Sequence, residues 1–355
     1  MNEPENHEPR PETVVITGGT AGIGRATARE FARHGCNVAV LARGHDGLEA
    51  TKRDIEQLGG KALAIPTDVS DWQAVEATAD RIERELGPID IWVNNAFAGI
   101  FARFMDVTPD EYERVTRVTY LGQVNGTRAA LKRMLPRNKG AIVLVGSALA
   151  YRGIPLQSAY CGSKHAIQGF IDSVRCELLH DKTDVTITMV QMPGVNTPQF
   201  DWIRAKLPGQ PRPVGKVYEP EVAARAIYFA AHDGRKEMLV GLPTVEAVWG
   251  NKIASSLLDD YLAATAFKAQ QRPIPVSPDR KDNLFEPVAG DHGARGSFSD
   301  EAVDSSAELW GSEHKKPIAL AALGAAAAGA GLGFMLAGRG SRREKQGKSK
   351  ARGRS

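Results

Sequence analysis

The chain has 355 residues, 42% of them hydrophobic and 25% charged, an ordinary globular balance sufficient for one large domain or two small ones. The net charge of +3 comes from the last residues, where Arg339, Arg342, Arg343, Lys345, Lys348, Lys350, Arg352 and Arg354 stand against Glu344 alone. The rest is slightly acidic, which gives no electrostatic reason to expect a nucleic-acid partner. Cys36, Cys161 and Cys176 match no metal-site spacing and read as reduced thiols of an intracellular protein. The start, residues 1–11, is polar and acidic, has no apolar run of a secretory signal, and reads as disordered.

Residues 13–17 (TVVIT) are a short β-branched run, the pattern of a buried strand. The run passes into Gly18-Gly19-Thr20-Ala21-Gly22-Ile23-Gly24 and then a helical pattern closed by Gly35. Strand, glycine turn and helix are the context of a dinucleotide fingerprint. The glycines let the backbone approach a pyrophosphate, and the helix start offers unpaired N–H groups. A second strand, 37–41, ends at Ala42 and Arg43. An NAD(H) site favours a carboxylate here and an NADP(H) site a cation for the 2′-phosphate. Arg43 can grip a phosphate bidentately, so NADP(H) is preferred. Asp46, slightly further on, keeps NAD(H) open.

Helices at 46–58 and 72–86 alternate with strands at 61–66 and 89–93, and a long helix follows at 109–135. A strand at 141–145 precedes Ser147; Tyr160 stands thirteen residues after that serine and Lys164 four further on. Four residues apart on a helix, the tyrosine and lysine share one face. An ammonium nearby favours the phenolate and lowers the tyrosine pKa, which makes the pair an acid/base device. A strand at 185–190, a helix at 219–232 and a strand at 238–240 complete the alternation. The expected fold is α/β: one doubly wound parallel sheet of the Rossmann type.

Thr17-Gly18-x-x-x-Gly22-x-Gly24, Asn94-Asn95-Ala96, Ser147 and Tyr160-x-x-x-Lys164 together resemble the short-chain dehydrogenase/reductase family, in its single-domain branch. The likeness covers residues 12–245. It implies hydride transfer between NADP(H) and a carbonyl or alcohol, with Ser147, Tyr160 and Lys164 as the catalytic set. It also implies a cofactor site of Thr17, Gly18, Thr20, Gly22, Ile23, Gly24, Arg43, Asp68, Val69, Asn94, Ala96, Tyr160 and Lys164. Pro193, Gly194, Val195 and Thr197 close that site, contacting the nicotinamide amide. Two positions depart from the family pattern. Phe97 replaces a glycine and narrows the nicotinamide side. Thr119 stands where an asparagine completes a tetrad and is expected to be the fourth catalytic residue, bending its helix by bonding back to a preceding carbonyl. Family members usually form dimers or tetramers, so a homo-oligomer is expected.

Residues 202–217 read as a mobile substrate lid. Residues 246–271 are expected to form an amphipathic helical extension, packed on the domain or on a second subunit, or lying on a membrane surface. Residues 272–316, rich in Pro, Gly, Ser and Asp, read as a linker with little fold of its own. The uncharged 21-residue run at 317–337 is about the ~20 residues that cross a bilayer, and 338–355 is a basic tail. This favours membrane association with the enzyme on the cytoplasmic face, although a single span with a cytoplasmic tail would place the catalytic domain outside. The substrate is expected to be a hydrophobic carbonyl compound or alcohol, because residues 149–156 are apolar apart from Arg152. The competing reading is a catalytically weak NADP(H) sensor or scaffold at a membrane.

Overall fold

The structure is a computed structural model that describes residues 10–314. Its centre is a parallel sheet of seven strands: β1 (Thr13–Thr17), β2 (Asn37–Ala42), β3 (Ala62–Pro66), β4 (Ile89–Asn94), β5 (Ala141–Val145), β6 (Thr186–Gln191) and β7 (Glu237–Leu239). The order across it is β7-β6-β5-β4-β1-β2-β3. Strands covered on both faces need apolar residues in both directions, and every residue of β1 and β5 is buried.

The covering helices are α1 (Gly22–Arg33), α2 (His45–Gln57), α3 (Trp72–Leu86), α4 (Pro109–Thr116), α5 (Gly122–Met134), α6 (Ser158–His180), α7 (Pro220–Asp233) and α8 (Leu242–Ala269). Val75 and Ile82 of α3, Ala129 of α5 and Ile167 and Ile171 of α6 share a core with Val15, Trp92 and Ile142 of the sheet. On α1 and α7, Phe31 and Tyr228 meet with ring centroids 5.2 Å apart. The chain reverses its direction of winding between β1 and β4. That switch point opens a crevice at the carboxyl ends of the strands, where doubly wound folds place their ligands.

Local signals account for several boundaries. Asp71 caps α3, accepting from the N–H groups of Gln73 and Ala74. Thr108 and Glu111 form a reciprocal capping box on α4. The single helix expected over 109–135 is interrupted by a π-helical turn, Arg117–Leu121. Thr119 does not bond back along that helix. Its hydroxyl donates to the Ala98 carbonyl at 2.8 Å and accepts from the Ala98 N–H at 2.9 Å. Both halves of the hydroxyl are thus spent on the loop after β4.

Residues 276–306 are no linker. Leu284, Ala294 and Phe298 are buried in the main unit, which extends through Ser306. Gln271–Pro275 pairs antiparallel with Gly209–Pro211, and Ala302–Val303 pairs parallel with Val217–Tyr218. The segment expected as a mobile lid is fastened by the same contacts. Ile100–Phe101 pairs with Arg204–Ala205, and Glu111 bridges Arg204 and Lys206 at 3.0 and 2.8 Å. Apolar residues spaced irregularly among Gly and Pro made this region look unstructured. A short helix, Ala307–Glu313, belongs to a second unit. The apolar run at 317–337 and the basic tail lie outside the described residues. Among the described residues no helix is long and apolar enough to cross a membrane.

Candidate active site

The crevice is a cleft of about 780 Å³, within the ~300–1,000 Å³ usual for ligand sites. Its floor is the glycine turn after β1. Gly18 has φ +63, and a Cβ there would lie 2.8 Å from the Ala96 Cα. Left-handed backbone and close approach together demand glycine. The end of β4 shapes this turn. Thr17 Oγ1 accepts from the N–H groups of Asn95 and Ala96 at 2.9 and 3.1 Å. Asn95 Nδ2 in turn donates to the carbonyls of Thr17 and Gly18, both at 3.0 Å.

Gly18, Thr20, Gly22, Ile23 and Ala96 line the cleft. Thr17, Gly24 and Asn94 are not among the residues that line it. At Gly24 a Cβ would meet the Gly18 carbonyl at 2.2 Å, so that glycine serves helix-to-turn packing. Asn94 is fully buried; it accepts from Trp92 Nε1 and donates to Thr127 Oγ1, both at 3.0 Å. Asn95, which holds the turn, was not singled out from sequence, although it adjoins Asn94.

At the far end, Arg43, Asp68 and Val69 line the cleft. Arg43 is not fully at liberty. Its two terminal nitrogens donate to the carbonyls of Phe285 and Asn283 at 2.6 and 2.5 Å. A guanidinium has five donors, so others remain for a phosphate. Burial, then the neighbouring Arg114, lowers the Arg43 pKa. Asp68 accepts from the Ser70 N–H and hydroxyl and pairs with Arg114 at 2.6 Å. Burial raises its carboxyl pKa, but the bonds to Arg114 and Ser70 outweigh it and hold the group below the usual range. Arg114, invisible as a site residue in the sequence, is the brace of this corner.

The catalytic candidates meet at the other end. Ser147 follows β5, where its N–H donates to Gln191 Oε1 at 2.7 Å and its hydroxyl accepts from the Leu149 N–H at 3.1 Å. Tyr160 and Lys164 project from the first turns of α6, and both line the cleft with Ser147. The Lys164 ammonium lies 5.5 Å from the Tyr160 ring centroid and donates to the Val145 carbonyl at 2.7 Å. Phe97 packs edge-on to Tyr160 at 5.8 Å.

Burial pushes the Tyr160 pKa above its ordinary value, while a hydrogen bond with Ser147 pulls the other way. Burial brings Lys164 down to about 7. The lowered tyrosine expected from sequence is therefore corrected: desolvation by burial outweighs the hydrogen bond with Ser147. Cys161, next in the chain, is buried with its thiol pKa raised by desolvation, as an inert packing residue should be.

Pro193, Gly194, Val195 and Thr197, after β6, close the cleft beside the glycine turn. Thr197 is buried, and its hydroxyl oxygen has no hydrogen-bond partner. An orphaned hydroxyl at a cleft wall fits a ligand that supplies the missing partner. Across from it, Arg152 reaches α8, pairing with Asp259 and donating to Asn251 Oδ1 at 3.3 Å. Leu258, Tyr261 and Leu262 of α8 thereby form an apolar wall. This C-terminal helix packs against the domain and lines the cleft.

A doubly wound sheet with a glycine turn at its switch point and a serine, tyrosine and lysine converging beside it defines a nicotinamide-dependent oxidoreductase. A family profile described as short chain dehydrogenase matches residues 12–207. The chain is 30% identical over 285 residues to Uncharacterized oxidoreductase YxnA of Bacillus subtilis, covering 80% of each. It is 31% identical over 236 residues to 3-ketodihydrosphingosine reductase of Bos taurus, covering 64% of this chain and 70% of the relative. Among solved structures, an alcohol dehydrogenase from the archaeon Thermococcus sibiricus complexed with 5-hydroxy-NADP matches with TM-score 0.57 and 26% identity, covering 65% of this chain and 96% of the other. The protein belongs to the short chain dehydrogenase family and is an oxidoreductase acting on CH–OH or C=O groups.

Proposed function

We propose that the protein uses NADP(H) to interconvert a hydrophobic carbonyl compound and its alcohol through Ser147, Tyr160 and Lys164. The observation that carries this is the convergence of those three side chains on one cleft whose floor is the glycine turn. The bound cofactor supplies the hydride. The turn at Gly18, Gly22 and Ile23 would hold its pyrophosphate, the free donors of Arg43 its 2′-phosphate, and Thr197 its carboxamide. The chain's own residues handle the oxygen and its proton. Ser147 donates a hydrogen bond to the substrate oxygen and steadies the charge that develops there. Tyr160, kept neutral by burial, gives its proton to that oxygen in the reducing direction. Lys164, anchored on the Val145 carbonyl, holds a positive charge near the phenol below about pH 7.

Phe97, Leu149, Ile154 and Leu258 make the substrate side apolar, which favours a hydrophobic carbonyl compound. The 3-ketodihydrosphingosine reductase relative is named for a lipid-chain ketone, in keeping with that reading. The test is NADPH oxidation by the full chain against a panel of ketones, aldehydes and quinones. Tyr160→Phe should bind NADPH as before and turn over none of the substrates that the unsubstituted chain reduces. Turnover retained in that variant would sink the assignment. The reading of 317–337 as a membrane anchor is a separate proposal. It expects the full chain to fractionate with membranes and a chain ending at Ser312 to be released; equal solubility of both would end it.

A further inference from the structure

The loop after β4 presents one large apolar side chain at the catalytic end of the cleft, Phe97, and the backbone on both sides of it is fastened. The Ala96 N–H donates to Thr17 Oγ1 at 3.1 Å. The Ala98 N–H and carbonyl are both taken by the Thr119 hydroxyl, at 2.9 and 2.8 Å. Thr119 is fully buried, so water does not compete for these bonds. The ring is also backed by side chains. It packs against a buried cluster that includes Phe101, Phe200 and Ile203. Ile203 in turn sits flush on Gly99, where a Cβ would meet its Cδ1 at 2.9 Å.

Phe97 lines the cleft and stands edge-on to Tyr160, with 74° between the ring planes and 5.8 Å between centroids. A carbonyl oxygen that accepts from Tyr160 lies about 3 Å from its hydroxyl, so the reacting carbon is held near the Phe97 ring. A ring fixed by its backbone and by a packed cluster yields little to added bulk. The α8 wall is built differently. Leu258 and Leu262 are half-buried, and Tyr261 is 61% exposed. All three lie beyond a break in the helix at Ala254, which has φ −142 and ψ 48. That wall borders solvent, and a long apolar substituent can run out along it.

Building on the carbonyl-reducing reading above, we propose that Phe97, positioned by Thr119, sets the shape of the substrate. The carbonyl carries one small substituent, a hydrogen or a methyl, on the side of the fixed ring. Its other substituent is a longer apolar chain that lies along α8. The substrate class is thereby narrowed to aldehydes and methyl ketones with one apolar chain.

The test uses the full chain, NADPH and three apolar carbonyl compounds of equal carbon count: nonanal, heptyl methyl ketone and dibutyl ketone. The kcat/KM for heptyl methyl ketone should exceed that for dibutyl ketone about 10-fold or more, the scale on which an apolar pocket discriminates by methylene groups. In Phe97→Ala the two ketones should draw together. Phe97→Leu, which keeps apolar packing, should fall between. Thr119→Val should narrow the ratio in the same direction, and Thr119→Ser should return it. A ratio near one in the unsubstituted chain overturns the proposal, as does reduction of nonanal alone. So does a ratio that persists in Phe97→Ala while both ketones slow equally, which would make the ring a structural residue only. If nonanal and both ketones leave NADPH unoxidised, the carbonyl-reducing reading itself falls.

Discussion

The Lys164 ammonium sits 5.5 Å from the Tyr160 ring centroid and is held there by the Val145 carbonyl, yet burial brings its own pKa down to about 7. The pair is therefore no simple ammonium–phenolate couple. Its two members are both pressed toward neutrality by the same apolar cleft. This has a consequence for stability. Lys164 titrates near 7 in the folded protein and near the ordinary 10.5 when unfolded. Between those values the unfolded chain binds more protons, so stability rises with pH across that window. Below about 7 the lysine is charged in both states and its burial penalty is fully present. Lys164→Met should remove this dependence. The stability difference, variant minus unsubstituted, should be largest at pH 6 to 7 and shrink as pH approaches 10. Thermal unfolding in parallel buffers measures it; a difference flat with pH would mean that the buried lysine does not titrate as described.

Gln191 braces Ser147 without itself lining the cleft. It is fully buried, accepts from the Ser147 N–H at 2.7 Å and donates to Glu237 at 2.8 Å. Gln191→Ala leaves the Ser147 N–H buried without its partner, which costs about 1–3 kcal/mol of stability. The serine hydroxyl then loses its fixed orientation toward the substrate oxygen. The expected outcome is a fall in kcat of about ten-fold or more, the scale of a misplaced oxyanion donor, with KM for NADPH little changed. Steady-state kinetics separate the two. A rise in that KM with kcat intact would place Gln191 in cofactor binding instead.

The sheet, the helices and the meeting of Ser147, Tyr160 and Lys164 on one cleft could be read in advance because their signals are contiguous. β1, the glycine turn and α1 lie in one uninterrupted stretch, and Ser147, Tyr160 and Lys164 fall within eighteen residues. The strap of residues 283–293, which runs along the Arg43 end of the cleft, was illegible for the opposite reason. Several of its fastenings are main-chain carbonyls accepting from Arg43 and Arg114, more than 150 residues upstream, and no residue type marks a carbonyl in a sequence. Its buried anchors, Leu284, Ala294 and Phe298, have neither helical nor strand period. Thr119 was misjudged because a local bond to its own helix was assumed. The π-turn at Arg117–Leu121 instead accompanies a hydroxyl bonded across to Ala98.

That bond makes Thr119 a positioning residue with a measurable signature. It satisfies both the N–H and the carbonyl of Ala98, which is buried just beyond Phe97. Thr119→Val keeps the shape and removes both hydrogen bonds. Two buried backbone groups left unpaired should cost about 2–6 kcal/mol, at ~1–3 each. Thr119→Ser restores the hydroxyl and should recover most of that loss. Activity of the valine variant below its melting temperature should persist at a reduced level, unlike that of Tyr160→Phe. Complete loss of turnover with normal stability would instead make the Thr119 hydroxyl part of the proton path.

The strap adds a prediction about cofactor choice. Arg43 faces the cleft but also holds the carbonyls of Asn283 and Phe285. If the guanidinium only gripped a 2′-phosphate, Arg43→Ala would weaken NADPH and spare NADH. Because it also fastens the strap, both should weaken. NADPH should lose more, since it forfeits a charge-assisted contact as well. Arg43→Lys keeps a charge but cannot span two carbonyls as a planar fork does. It should recover NADPH over NADH discrimination better than it recovers affinity for either. The check is a pair of dissociation constants for each variant. Loss confined to NADPH in Arg43→Ala would show that the strap does not depend on this arginine. Equal losses for both dinucleotides would remove Arg43 from 2′-phosphate recognition.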